Sequence, residues 1–174
     1  MSTPTQTYSR TARVLHWGMA ILMVAMLLFG EDTMGQHDPG LLPSLHASAG
    51  FLLLALIVIR IGWRWRVAPP PLSAGSRLEQ RLAHLAHFAL YAAMLLLPLT
   101  GWLAYTEHVH LSKGIPPATA FGLAIPLLPD FGLNWHLAHN LLGKLTLVVI
   151  VLHVLAALKH HFLNRDDTLR RMTG

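Results

Sequence analysis

The sequence predicts an all-α fold, a four-helix transmembrane bundle with both termini in the cytoplasm. Three observations carry that expectation. Of 174 residues, 53% are hydrophobic and only 12% are charged, about half the charged share of an ordinary soluble domain. Four apolar stretches approach or exceed the roughly 20 helical residues that cross a bilayer. The Lys and Arg residues of the flanking segments gather on one side, eleven against Lys113 alone, which the positive-inside rule assigns to the cytoplasm. The apolar runs are continuous and Leu/Ala-rich rather than alternating, which argues against strands. One integral-membrane domain is expected over 1–174.

The first span covers about 12–30, preceded by Arg10 and Arg13. No A-x-A-like site precedes Glu31, and the stretch carries His16 and Trp17, so it reads as a permanent helix rather than a signal peptide. The second span covers about 41–63 and ends among Arg60, Arg64 and Arg66. Val67–Gly75 (VAPPPLSAG) is then a proline-rich linker, extended and structureless. The third span covers about 82–105, with Pro98 an expected kink. Thr106–Asn134 forms a long outer loop. Its apolar part, Phe121–Phe131, is interrupted by Pro126 and Pro129, is too short to span, and should lie across the outer face. The fourth span covers about 137–158, with Lys144 its one central charge, expected to snorkel outward. Trp17, Trp63 and Trp65 mark the inner interface, and Trp102 and Trp135 the outer one. No internal repeat is visible.

The absence of cysteine excludes disulfides, Cys-ligated zinc, iron–sulfur clusters and haem attached through C-x-x-C-H. The net charge of +5 fits basic cytoplasmic loops rather than nucleic acid. The anomaly is histidine: twelve residues against eight Asp+Glu. Imidazole is costly in hydrocarbon unless something holds it there.

Spacing shows what could hold it. His139 and His153 lie 14 residues apart on span four, about 21 Å along a helix and within roughly 40° of one direction. One face therefore offers an imidazole in each leaflet. His136 falls about 100° off that face and reads as an interface residue. His16 enters span one at the inner end, and His46 enters span two at the outer end. Depth pairs His16 with His153 and His46 with His139. Two stacked bis-histidine sites suit two non-covalent b haems, whose iron takes axial imidazoles and whose apolar ring suits a bundle core. Gly18, Ala47, Ser48, Ala49 and Gly50 are small enough to leave room beside the ligands. Zinc, the main rival, wants three or four close ligands, and each depth offers two.

Four segments carry a resemblance: YSRTARVLHW at 8–17, LHASAG at 45–50 with Arg60 beyond it, LAHLAHFALYAAMLLLPLTGW at 82–102, and HNLLGKLTLVVIVLHVLAALKHHF with DDTLRRM over 139–172. The chain resembles the bacterial cytochrome b561 family, the small four-helix di-haem type, over nearly its whole length. The resemblance implies that His16 and His153 hold the cytoplasmic-side haem, and His46 and His139 the periplasmic-side haem. The family usually has an acidic residue after the ligand matching His139; here it is Asn140.

Other residues bear on electron entry and exit. Arg60 lies 14 residues after His46. It reads equally as a partner for an inner haem propionate or as a snorkelling interface arginine. His160 lies two turns beyond His153 and is a quinone-site candidate, able to hydrogen-bond a carbonyl and relay a proton. His87, three residues after His84, is the other. His108 and His110 read as solvated loop residues. The resemblance implies a bacterial inner-membrane oxidoreductase that oxidises superoxide at the periplasmic face and reduces ubiquinone. The outer loops hold Glu31, Asp32, Asp38, Glu107 and Asp130 against Lys113, a balance that does not favour steering an anion. The alternatives are a cytochrome b subunit linking a periplasmic redox partner to the quinone pool, and a non-redox membrane protein that handles haem or metal.

Overall fold

The structure, a computed structural model, describes residues 7–34, 41–71, 76–111, 118–129 and 131–174, without the side chains of 31–34. Asp38, Lys113, Asp130, the side chains of Glu31 and Asp32, and linker residues 72–75 lie outside the described residues. The described chain forms α1 (Arg10–Met34), α2 (Leu41–Arg66), α3 (Arg77–Leu111), β1 (Thr119–Ala120), β2 (Leu123–Ala124), α4 (Trp135–Phe162) and the short α5 (Arg170–Thr173). Helices α1 to α4 are each long and apolar enough to cross a membrane. Each extends past the span expected from the sequence, because polar residues at the ends continue the helix. The 35 residues of α3 make about 52 Å of helix, more than the roughly 30 Å hydrocarbon core. This helix runs on through Pro98.

The helix starts are capped by their own sequence. Ser76 and Glu79 form a reciprocal box at the start of α3: Glu79 Oε2 accepts from Ser76 N at 2.9 Å, and Ser76 Oγ accepts from Glu79 N at 3.2 Å. Glu79 Oε1 also accepts from Lys159 Nζ at 2.8 Å, tying the end of α4 to the start of α3. Asn134 caps α4 by accepting from Leu137 N at 2.8 Å.

The four long helices pack as a ring, α1 on α2, α2 on α3, α3 on α4 and α4 back on α1. At mid-depth the ring closes on Met19, Met23, Leu53, Ile57, Ala93 and Leu97. Most other large apolar side chains point outward, among them Val14, Ile21, Phe88 and Leu145. Such a surface is satisfied by lipid, and water would penalise it.

The outer loop contains a hairpin, a departure from a purely helical fold. Phe121 and Gly122 both take positive φ, 53° and 77°, the turn whose twist suits a two-residue hairpin. Phe121 N donates to Ser48 Oγ at 2.9 Å and Thr119 N to Ser44 Oγ at 3.2 Å, fixing the hairpin on α2. Ala118, Ala120 and Ile125 bury against Ala47, Phe51, Trp102 and Tyr105. At the opposite end the C-terminal segment folds back over the bundle. Tyr8 N donates to Arg171 O at 3.1 Å and Trp17 Nε1 to Met172 O at 3.1 Å. The bundle thus has a hairpin end and a terminal end.

Candidate functional site

Near the terminal end, α1 brings His16 to α4's His153, ring centroids 6.4 Å apart. From α3, His87 also reaches His153, centroids 5.5 Å apart. Arg60 points into the bundle rather than out to the interface. Its Nε donates to Tyr91 Oη at 3.0 Å and its Nη1 to Ala12 O at 3.1 Å, while Nη2 lies 3.4 Å from His16 Nδ1. The snorkelling alternative therefore does not describe Arg60: three partners from α1 and α3 hold its guanidinium inward.

Near the hairpin end, His46 and His139 lie with ring centroids 6.2 Å apart. Thr100 Oγ1 sits 3.1 Å from His139 Nδ1 and 2.8 Å from Leu96 O. The one hydroxyl proton has two carbonyls in reach, Leu96 O at 2.8 Å and Leu97 O at 3.1 Å, and given to either it leaves a Thr100 lone pair for His139. Two glycines press on these rings. A Cβ added at Gly101 would lie 3.0 Å from His139 Cε1, and one at Gly30 would lie 3.2 Å from His46 Cε1. Four of the small residues expected to leave room have other neighbours or none. Gly18 has nothing within 4 Å of such a Cβ and Gly50 meets only Met26, while Ala47 and Ser48 hold the hairpin. The reason is rotational: the α2 face carrying Ser44, Ala47 and Ser48 turns to the hairpin.

His136 is exposed at the start of α4, its N–H donating to Glu107 Oε2 at 3.1 Å. Asn140 turns toward it, Nδ2 to Nε2 3.2 Å. Lys144 is exposed on α4. His108 and His110 belong to the last turn of α3 rather than to a loop, because the helix continues to Leu111.

The ring separations of both imidazole pairs match a metal held between two imidazoles. An imidazole nitrogen binds a metal at about 2.0–2.1 Å, so opposed rings have centroids roughly 6 Å apart. The glycines at Gly30 and Gly101 are the positions where a side chain would crowd such rings. Among the described residues no group of three or more His, Cys, Asp or Glu is placed to hold a metal ion, whereas a porphyrin brings four nitrogen ligands of its own. The profile of prokaryotic cytochrome b561 matches residues 7–174.

The chain belongs to the prokaryotic cytochrome b561 family. Its relatives include cytochrome b561 homolog 2 of Escherichia coli K12, 34% identical, the match covering 97% of this chain and 92% of the relative. The probable superoxide oxidase CybB of Yersinia pestis is 32% identical over 91% of this chain and 90% of its own length. Cytochrome b562 of Cereibacter sphaeroides is 26% identical over 95% and 94%. This cytochrome b561 is accordingly a multi-pass membrane electron-transfer protein of the b-haem class.

Two further features of this cytochrome b561 lie near its terminal end. His160 Nδ1 is 2.6 Å from Asp166 Oδ2 and 3.2 Å from Asn164 Nδ2. Burial pushes the Asp166 carboxyl up, but hydrogen bonds from Thr168 and from His160 outweigh it and leave the group below its ordinary value. A cavity of about 270 Å³ opens between α2 and α3, lined by Arg64, Trp65, His84, His87 and Phe88 among others. Sequence reasoning missed Gly30, Thr100, Gly101, Tyr91 and Asp166. Thr100 and Gly101 stand inside the quoted LTGW segment, and Asp166 lies six residues after His160. Only the fold shows which side chain each one meets.

Proposed function

We propose that this chain carries electrons across the bacterial inner membrane, from superoxide at the periplasmic hairpin end to ubiquinone at the cytoplasmic terminal end, through two b haems. The observation that carries the reading is the two imidazole couples, one toward each end of the bundle, 6.4 and 6.2 Å between centroids. His16 with His153, and His46 with His139, would each hold one haem. When bound, the haems supply the one-electron chemistry. The chain's residues do the rest: they fix the imidazoles, keep the path dry through the Met19–Leu97 core, and manage protons at the terminal end.

Two superoxide anions each give one electron and leave as O2, and the quinone takes two electrons and two protons. His160 faces this proton demand at the bundle end, with Asp166 holding its Nδ1–H and leaving Nε2 for a quinone carbonyl. The likeness to a relative named as a probable superoxide oxidase supports the donor. A second reading, a cytochrome b subunit served by a periplasmic carrier protein, draws on the exposed Phe121 and Leu123 of the hairpin.

The test is stopped-flow spectroscopy of the purified holoprotein after a superoxide pulse, followed by addition of quinone. Reduction of both haems within the pulse and their reoxidation by quinone support the proposal. Reduction only by a carrier protein favours the second reading. A pyridine haemochrome ratio below two haems per fully loaded chain refutes the pairing.

A further inference from the structure

The two imidazole couples are not equivalent, and the difference lies in what faces Nδ1 of one ring in each. When a neutral imidazole gives one nitrogen to a metal, the other carries the proton and needs an acceptor. At the hairpin end His139 Nδ1 has one: Thr100 Oγ1 at 3.1 Å, whose own proton has carbonyl acceptors in Leu96 O at 2.8 Å and Leu97 O at 3.1 Å. At the terminal end the atom nearest His16 Nδ1 on Arg60 is Nη2, at 3.4 Å. A guanidinium has five N–H donors and no acceptor. It cannot receive the His16 proton, so it presents a fixed positive charge to that ring. Besides His16, the Tyr91 hydroxyl at 3.0 Å and the Ala12 carbonyl at 3.1 Å hold it in place. A second cation, Arg64, lies over the same Tyr91 ring at 5.6 Å.

Hydrogen bonding to an axial imidazole and nearby charge are two of the protein's levers on a haem's reduction potential. An acceptor on the N–H makes the ring a stronger electron donor and favours ferric iron, lowering the potential. A cation beside the ring opposes the extra positive charge of ferric iron and raises it. We propose that Arg60 and Thr100 are potential-setting residues: they place the terminal-end site above the hairpin-end site in reduction potential, so that electrons run downhill from one to the other. This rests on the ligand pairs given under the proposed function, and on neither the donor nor the acceptor named there.

The experiment is potentiometric titration of the holoprotein in detergent. The two centres are read as two one-electron waves, and the terminal-end wave is identified by its loss in His16→Ala. The higher wave should be the one lost. Arg60→Gln removes the charge while keeping an N–H for Tyr91. It should shift the terminal-end equilibrium about tenfold toward the ferric form, a fall of about 59 mV, and leave the other wave in place. Arg60→Lys, which keeps the charge, should retain most of the wild-type value and serves if Arg60→Gln fails to load haem. Thr100→Val removes the hydroxyl acceptor, leaving the Leu97 carbonyl beside the ring, and should raise the hairpin-end wave, narrowing the gap from the other side.

If the wave lost in His16→Ala is the lower one, the proposal is overturned. It is equally overturned if Arg60→Gln and Arg60→Lys move the terminal-end wave alike, or if Thr100→Val lowers the hairpin-end wave. A single wave in the fully loaded wild type, with one haem per chain, overturns the ligand pairs instead. Loss of superoxide or quinone reactivity with two normal waves overturns only the donor and acceptor.

Discussion

Replacing Gly101 by alanine puts a methyl group against His139. The added carbon would stand 3.0 Å from Cε1 and 3.3 Å from Nδ1, whereas carbon contacts settle at about 3.5–4.0 Å. The ring must retreat by roughly 0.5 Å, because the methyl is fixed to the α3 backbone. That retreat strains the 3.1 Å contact to Thr100 and turns the ring from His46. Overpacking of this kind costs about 1–3 kcal/mol, against a gain of about 1 kcal/mol from alanine's better helix propensity. The helix gain is shared by the haem-free and haem-bound chain, so the overpacking cost falls on haem affinity at the hairpin end, about 5- to 140-fold at 1.4 kcal/mol per decade. Gly18→Ala is the matched control: nothing lies within 4 Å of its added carbon, so it keeps the helix gain and disturbs neither ring. Haem content by pyridine haemochrome during graded haem supply, with thermal unfolding of the same samples, reads both effects. Gly101→Ala retaining two haems at wild-type affinity, or Gly18→Ala losing one, would refute the reasoning.

Three other outcomes are expected. His139→Ala should lose the hairpin-end low-spin centre while His136→Ala keeps both, since His136 is exposed and its ring meets Asn140; optical spectra of the loaded variants decide. His160→Ala should leave haem reduction intact and slow reoxidation by quinone about 10²-fold, the usual scale of a lost general acid. If His87→Ala abolishes reoxidation and His160→Ala does not, the quinone enters the cavity between α2 and α3. The C-terminal segment should release only in acid. The folded Asp166 value lies below the ordinary 3.8, so its stabilisation is complete above that pH and fades as pH falls through the lower folded value. Trp17 fluorescence reports this through the bond from its indole to Met172 O, and Asp166→Asn should abolish the transition.

What the sequence makes legible follows from periodicity and length. Four apolar runs imply four helices, and 14-residue spacing puts His139 and His153 on one face because a helix has a fixed rise and turn. Their approach to His46 and His16 then needs only matching depth. The hairpin was less visible. Its strands are two residues long, and Phe121 occupies a left-handed position that glycine or asparagine ordinarily marks. Which small residues crowd the histidines depends on helix rotation, and so Gly30 and Gly101 could not be separated from Gly18 and Gly50 by spacing. Arg60 shows the same limit. Its depth is readable, but its inward aim depends on Tyr91 and Ala12, which come from other helices.

One helix supplies a member of both imidazole couples. His139 and His153 stand on α4, the last long helix in the chain, while their counterparts stand on α1 and α2. During synthesis His16 and His46 emerge first, and neither meets its counterpart until α4 has been made and inserted. At ordinary elongation rates that leaves His46 waiting roughly 5–20 s for its helix partner's arrival to be complete. Both couples therefore depend on the docking of the same helix. A ribosome stalled before α4 leaves a three-helix chain with two half-formed couples and no complete site.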